Sequence, residues 1–127
     1  MDRYAVIGQP IAHSKSPYIH AQYARQTGQT LSYEAIEVAA DALAATLKRL
    51  HDEGYRGVSV TLPHKIAVTA LCEAVSERAT LAGAVNNLVR TDTGWRGDNT
   101  DGEGVVRDLT RNRKLTIAGK RVLILDA

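Results

Sequence analysis

Three short apolar runs, residues 4–7, 31–38 and 57–62, are separated by two stretches with helical signatures. Strand, helix, strand, helix, strand in that order is the pattern of a parallel sheet with right-handed crossovers. The first run, Tyr4-Ala5-Val6-Ile7, ends at Gly8 and Pro10. Ser16 followed by Pro17 supplies an N-cap and an N1 proline for the first helix, which Gly28 can end. In the second run the alternation slips between Ala35 and Ile36, which predicts a strand either buried on both faces or bulged. Residues 41–53 form the clearest helix. Leu43, Leu47 and Leu50 make its apolar stripe, Asp41 sits at the acid-preferring end, and Gly54 follows.

The third run leads into the most suggestive stretch, Gly57-Val58-Ser59-Val60-Thr61-Leu62-Pro63-His64-Lys65. Val58, Val60 and Leu62 alternate with Ser59 and Thr61, the period of a strand. Pro63 suits the first turn of a helix. That places Thr61 and Lys65 around the carboxyl end of a strand, where open α/β sheets bind ligands. A lysine in a first helical turn opposes the helix dipole, and a residue set against a local rule is a functional suspect. A solvated lysine is the alternative, and this stretch alone leaves both open.

Beyond Lys65, residues 66–73 and 75–82 read as two helical segments. Residues 84–90 read as a strand, and a turn at 91–94 leads into a return strand from Trp95, making a hairpin. Thr100 and Glu103 fit a capping box for a helix running to about residue 112. Residues 121–125 are predicted to be a fresh buried strand, the opening of a second α/β unit. The predicted fold class is α/β: an open, mostly parallel twisted sheet of about six strands, with helices on both faces and one antiparallel hairpin.

The chain of 127 residues fits one domain, on the prior of roughly 100–200 residues each. Its core lacks Phe and must be built from Val, Ile, Leu, Ala and Tyr. A net charge of +2 gives no argument for nucleic acid or an anionic membrane. Arg107, Arg111, Arg113, Lys114, Lys120 and Arg121 cluster late in the chain and read as a solvated helix face. Cys72 is the only cysteine, so no internal disulfide forms and a cytoplasmic protein is the simplest expectation. The first residues lack the apolar core of a signal peptide, and no apolar run approaches the ~18 residues of a membrane span.

Three loops are expected to meet at one edge of the sheet. The first carries Ser14 and Ser16 at a helix N-terminus, where two hydroxyls and free N–H groups suit a carboxylate or phosphate. The alternative is that Ser16 only caps and Ser14 only solvates its loop. The second carries Thr61 and Lys65. The third pairs Asn86-Asn87, amides in an otherwise apolar strand, with Asp101. Buried amides need partners. Asp101 also has a plain reading as a first-turn acid favoured by the helix dipole. A lysine and an aspartate converging on one pocket can run proton transfer. His13, His20, His51 and His64 lack metal-ligand spacing and are expected as loop or surface residues, His64 being notable only for its place beside Lys65. Gly102-Glu103-Gly104 lacks the third glycine of a dinucleotide fingerprint and follows a turn.

Five motifs occur in order: Gly8-Gln9-Pro10, Ser14-Lys15-Ser16-Pro17, Val60-Thr61-Leu62-Pro63-His64-Lys65, Gly83-Ala84-Val85-Asn86 and Asn99-Thr100-Asp101-Gly102-Glu103-Gly104. Together they resemble the shikimate dehydrogenase family, over essentially the whole chain, as its N-terminal substrate-binding domain. The resemblance implies reversible NADP-dependent reduction of 3-dehydroshikimate to shikimate, a step of aromatic amino acid biosynthesis. It implies that Ser14 and Ser16 hold the substrate carboxylate with help from Thr61. Lys65 and Asp101 become the catalytic pair, and Asn86 orients the ring hydroxyls with them. Residues 1–114 are then the substrate-binding domain with the start of the inter-domain helix, and residues 115–127 the first strand of a Rossmann NADP-binding domain.

Two departures flank the motifs: Ser59, just before Val60, stands where the family usually has Asn, and Asn87, next to Asn86, where it usually has Thr. A third is the end, where the family continues into a Gly-rich loop and this sequence reads Asp126-Ala127, a negative charge at the expected pyrophosphate position. NADP(H) is therefore expected to serve the full enzyme and not to bind this chain, which is expected to be inactive alone, as a truncated product or fragment. Self-association through an exposed inter-domain face is plausible on this reading. The alternatives are a quinate/shikimate dehydrogenase relative and a non-catalytic carboxylate-binding or self-associating module.

Overall fold

The computed structural model describes residues 1–125. Asp126 and Ala127, with the charge expected of Asp126, lie outside the described residues. The elements are β1 (Asp2–Gly8), α1 (Ser16–Thr27), β2 (Leu31–Glu37), α2 (Leu43–Asp52), β3 (Gly57–Val60), β4 (Ala74–Val75), α3 (Glu77–Ala82), β5 (Asn87–Arg90), β6 (Trp95–Asp98) and α4 (Asp101–Arg107). Short 3-10 turns at Ala40–Ala42 and Ala67–Leu71 precede α2 and β4.

The six strands form one sheet in the order β2-β1-β3-β5-β6-β4. β1 pairs in parallel with β2 and β3, and β4 with β6. β5 runs antiparallel to both neighbours, giving the expected β5–β6 hairpin and a second antiparallel pair with β3. The sheet is thus α/β, open and mostly parallel, as the order of elements predicts.

Strand alternation divides the chemistry between the two faces. Ala5 stands opposite Val58 and Ile7 opposite Val60, so these four share one face. On it the stripe Leu43, Leu47 and Leu50 of α2 is buried, with Tyr55, Leu88 and Trp95 in the same cluster. The Trp95 indole N–H donates to the carbonyl of Leu47 at 3.1 Å, tying the hairpin to α2. The other face carries Tyr4, Val6, Tyr33 and Ser59 in register. There α1 lays His20 flat on Tyr33, ring centroids 4.1 Å apart. Helices therefore cover both faces, but the second face is left partly open as a groove.

Several local expectations are corrected. β2 is neither bulged nor doubly buried. Its register with β1 is unbroken, and it is the outer strand, so the slipped alternation costs little at a half-exposed edge. Ser16 is the first helical residue rather than the cap; Lys15 takes the cap position and offers no side-chain bond. Pro63 does not open a helix, because the chain turns through residues 61–66 before the 3-10 segment. The two helices expected over 66–82 shrink to that segment and α3, with β4 between them pairing to β6. The strand expected from Ala84 starts at Asn87, which frees Asn86 from the alternation. α4 begins as predicted but without its capping box: Glu103 turns to Arg78 and Arg107, and Thr100 to Asn86. After Arg107 the chain continues as one wide π-helical turn to Asn112. Residues 121–125 form no strand. A strand is stabilised by a hydrogen-bonded neighbour, and this segment has none among the described residues, with Leu125 86% exposed.

Candidate functional site

The open face of the sheet, closed on one side by α1, forms a groove of about 1160 Å³. Ser16, Thr61, Lys65, Asn86 and Asp101 all line it, together with His20, Tyr33 and Thr100. Five of the six candidate residues are therefore gathered from four parts of the chain. Ser14 is not on the wall. Its hydroxyl accepts the N–H of Ser16 at 3.3 Å and supports the start of α1 from behind.

At one end of the groove the Lys65 ammonium donates to Asp101 Oδ2 at 2.6 Å. Asn86 Nδ2 donates to Asp101 Oδ1 at 3.0 Å and to the Thr100 hydroxyl at 2.9 Å, while its Oδ1 accepts the Thr100 N–H at 3.0 Å. The amide that needed a partner thus has three. Both carboxylate oxygens of Asp101 are engaged, which fixes its plane. The backbone aligns the cluster as well. Val85 N–H donates to the Lys65 carbonyl and Val60 N–H to the Asn86 carbonyl, each at 2.8 Å.

Thr61 is placed by its own N–H, which donates to Ile7 O at 3.0 Å at the end of β1. Gly8 makes that approach possible. A Cβ there would lie 2.5 Å from Thr61 Cγ2 and 2.9 Å from Leu62 O. His64, expected as a loop or surface residue, lies in the turn but is 1% exposed, and its Nε2 lies 2.6 Å from the Val38 carbonyl. Buried imidazole has to find a partner, and this one anchors the turn before Lys65 to the end of β2.

Along the groove the Tyr33 hydroxyl donates to Ser59 Oγ at 2.7 Å. Burial pushes the Tyr33 phenol up, against the smaller opposing pull of the Ser59 and Ser16 hydroxyls. Burial lowers the pKa of His20, disfavouring the charged form of the stacked imidazole. The Ser59 hydroxyl is thus engaged by Tyr33.

A family model described as the shikimate dehydrogenase substrate binding domain matches residues 6–88. The chain belongs to this family. It is 54% identical over its whole length to a shikimate dehydrogenase (NADP(+)) of Xanthomonas euvesicatoria, and 53% identical to that of Methylobacillus flagellatus. It spans under half of either relative, 45% and 47% of their lengths. Among solved structures it is similar to the shikimate 5-dehydrogenase of Thermus thermophilus in complex with shikimate, with a TM-score of 0.83 and 40% identity, covering 87% of this chain and 42% of that one. It is equally similar in fold to an Ael1 enzyme of Pseudomonas putida, with a TM-score of 0.87 and 42% identity over 90% of this chain and 42% of that one.

Two parts of this cluster escape a reading of the sequence. Thr100 reads as a cap because its spacing to Glu103 fits one, whereas Asn86, fourteen residues away, captures it. Arg78 gives no local signal at all. Its Nε and Nη2 donate to Asp98 Oδ1 and Oδ2 at 2.8 and 2.7 Å, and its Nη1 donates to Glu103. Asp98 also accepts the Ser76 hydroxyl at 2.6 Å and the Asn99 N–H at 2.7 Å. These bonds, the guanidinium first, hold the Asp98 carboxyl well below its ordinary value of 3.8, and Asp98 in turn raises the pKa of Arg78. A carboxyl with a depressed folded value stabilises the fold above its unfolded value and loses that contribution as pH falls through the folded one. Thermal unfolding should therefore show a midpoint that drops below about pH 4, with a shallower acid dependence for Asp98→Asn. Identical acid slopes for the two proteins would contradict this.

Proposed function

We propose that this chain is the substrate half of an NADP-dependent shikimate dehydrogenase, binding shikimate and 3-dehydroshikimate in the groove. The substrate domain then spans residues 1–114, with 115–127 leading toward the cofactor domain. The observation that carries the reading is the Lys65–Asp101 pair at 2.6 Å, with Asn86 on the other carboxylate oxygen, in a groove that Ser16 and Thr61 also line. A ring bearing a carboxylate at one side and hydroxyls at the other matches that division. The hydroxyls of Ser16 and Thr61, with Ser14 ordering the start of α1, take the carboxylate. Asn86, Lys65 and Asp101 take the ring oxygens.

On this reading the dinucleotide is left to the cofactor domain. The first turn of α4, the helix start in the glycine-bearing motif, carries Asp101 and Glu103, which repel a pyrophosphate. The chain's own chemistry is therefore confined to binding and to the proton. A ketone oxygen gains a proton when it becomes a hydroxyl, and a hydroxyl loses one in reverse. The Lys65 ammonium is an acid held by Asp101 with its remaining protons free to reach a bound oxygen. Asp101 keeps the amine oriented and balances its charge.

The test compares shikimate, its methyl ester and quinate by calorimetry on the purified chain. Losing charge-assisted hydrogen bonds to the carboxylate should weaken the ester about tenfold or more relative to shikimate. Equal affinities for acid and ester would remove the serine and threonine arm. Tighter binding of quinate than shikimate would favour the quinate/shikimate relative.

A further inference from the structure

Asp101 opens α4 directly after Asn99-Thr100, the two residues that connect it to β6, and a side chain from neither element holds that junction at both ends. Arg78, in the first turn of α3, grips both oxygens of Asp98, the last residue of β6, through two parallel bonds. Its third arm reaches Glu103, in the first turn of α4. Asp98 stands three positions before Asp101 and Glu103 two positions after it, so one guanidinium brackets the segment Asn99-Thr100-Asp101. Ser76 reinforces the base of the clamp. Its hydroxyl caps α3 through the Ala79 N–H at 3.2 Å and donates to the same Asp98 oxygen. Within the bracket, Asn99 closes the loop on itself. Its Oδ1 accepts the Asp101 N–H at 2.9 Å, and its Nδ2 donates to Ala84 O at 3.0 Å.

We propose that Arg78 is a positioning residue for Asp101, fixing the β6–α4 loop so that the carboxylate meets Lys65 and Asn86. The inference rests on the reading of Asp101 given above. A planar fork with five donors can serve two carboxylates at once in fixed geometry, and a lysine ammonium cannot. The role thus depends on the shape of the guanidinium as well as its charge. Arg78 touches neither Lys65 nor Asp101 and acts only through the loop.

The experiment is amide hydrogen exchange on the chain without ligand, comparing Arg78→Ala and Arg78→Lys with the parent. Exchange at Thr100 and Asp101 is expected to rise about tenfold or more in both variants, while the β1 amides keep their protection. In an enzyme completed with a cofactor domain, both variants should lower kcat about tenfold with KM little changed. Unaltered exchange at Thr100 and Asp101, full rescue by lysine, or equal acceleration of the β1 amides would overturn the clamp. Faster loop exchange with unchanged kcat would overturn the positioning role by a different route, through the assignment of Asp101 itself.

Discussion

Lys65→Ala, placed in an enzyme completed with its cofactor domain, is expected to lower turnover by about 10²–10⁴-fold while KM changes little. On the proposed reading the lysine Nζ, bonded to Asp101, is the acid, so its loss removes the group that exchanges a proton with the ring oxygen. The rest of the binding groove does not depend on it. Asp101 keeps its bond from Asn86, and Thr61 and Ser16 are positioned by other elements. Initial rates at saturating and limiting substrate separate the two parameters. An unchanged turnover number would take Lys65 out of the mechanism, and a rise in KM alone would make it a binding residue.

Leu50→Ala should produce the largest loss of stability, about 2–5 kcal/mol. Leu50 is fully buried where α2 meets the sheet, at the end of a stripe with Leu43 and Leu47. Its carbonyl accepts the Tyr55 N–H at 3.0 Å, so the helix end and the lead into β3 are packed around it. Truncation leaves a cavity that a helix pinned on both sides cannot collapse to fill. Against a total of about 5–15 kcal/mol, such a loss unfolds a substantial part of the population at moderate temperature. Leu81→Ala is the control. Leu81 is 83% exposed, and its loss should stay within about 0.5 kcal/mol. Urea unfolding measures both, and equal midpoints for the two variants would contradict the placement of the core.

What was legible in the sequence was whatever local periodicity or a fixed motif could carry. The stripe of α2, the β1 and β3 runs and the β5–β6 hairpin follow from residues within a few positions of one another. The meeting of Thr61, Lys65, Asn86 and Asp101 at one sheet edge is expected from the order of the elements, although Asn86 reads as part of the strand 84–90 and lies just before β5. The errors share a cause, which is capture by distant partners. Glu103 is at capping distance from Thr100, but Arg78 offers it a charged donor and Asn86 takes the threonine. Ala74–Val75 looks like the boundary of a helix until β6 supplies a ladder. His64 looks solvated until the Val38 carbonyl, twenty-six residues away, is brought over it. Residues 121–125 have the composition of a strand and, among the described residues, lack the neighbour that would make them one.

Backbone amide NMR during titration with shikimate tests most directly whether one ligand engages both the Ser16 and Thr61 hydroxyls and the Lys65–Asn86–Asp101 cluster. Shifts are predicted to concentrate at Ser16, Thr61, Lys65, Asn86 and Asp101 and to saturate along one binding curve, with Tyr33 and Ser59 moving as the wall between them. Shifts confined to other surfaces, or none at saturating millimolar shikimate, would contradict it.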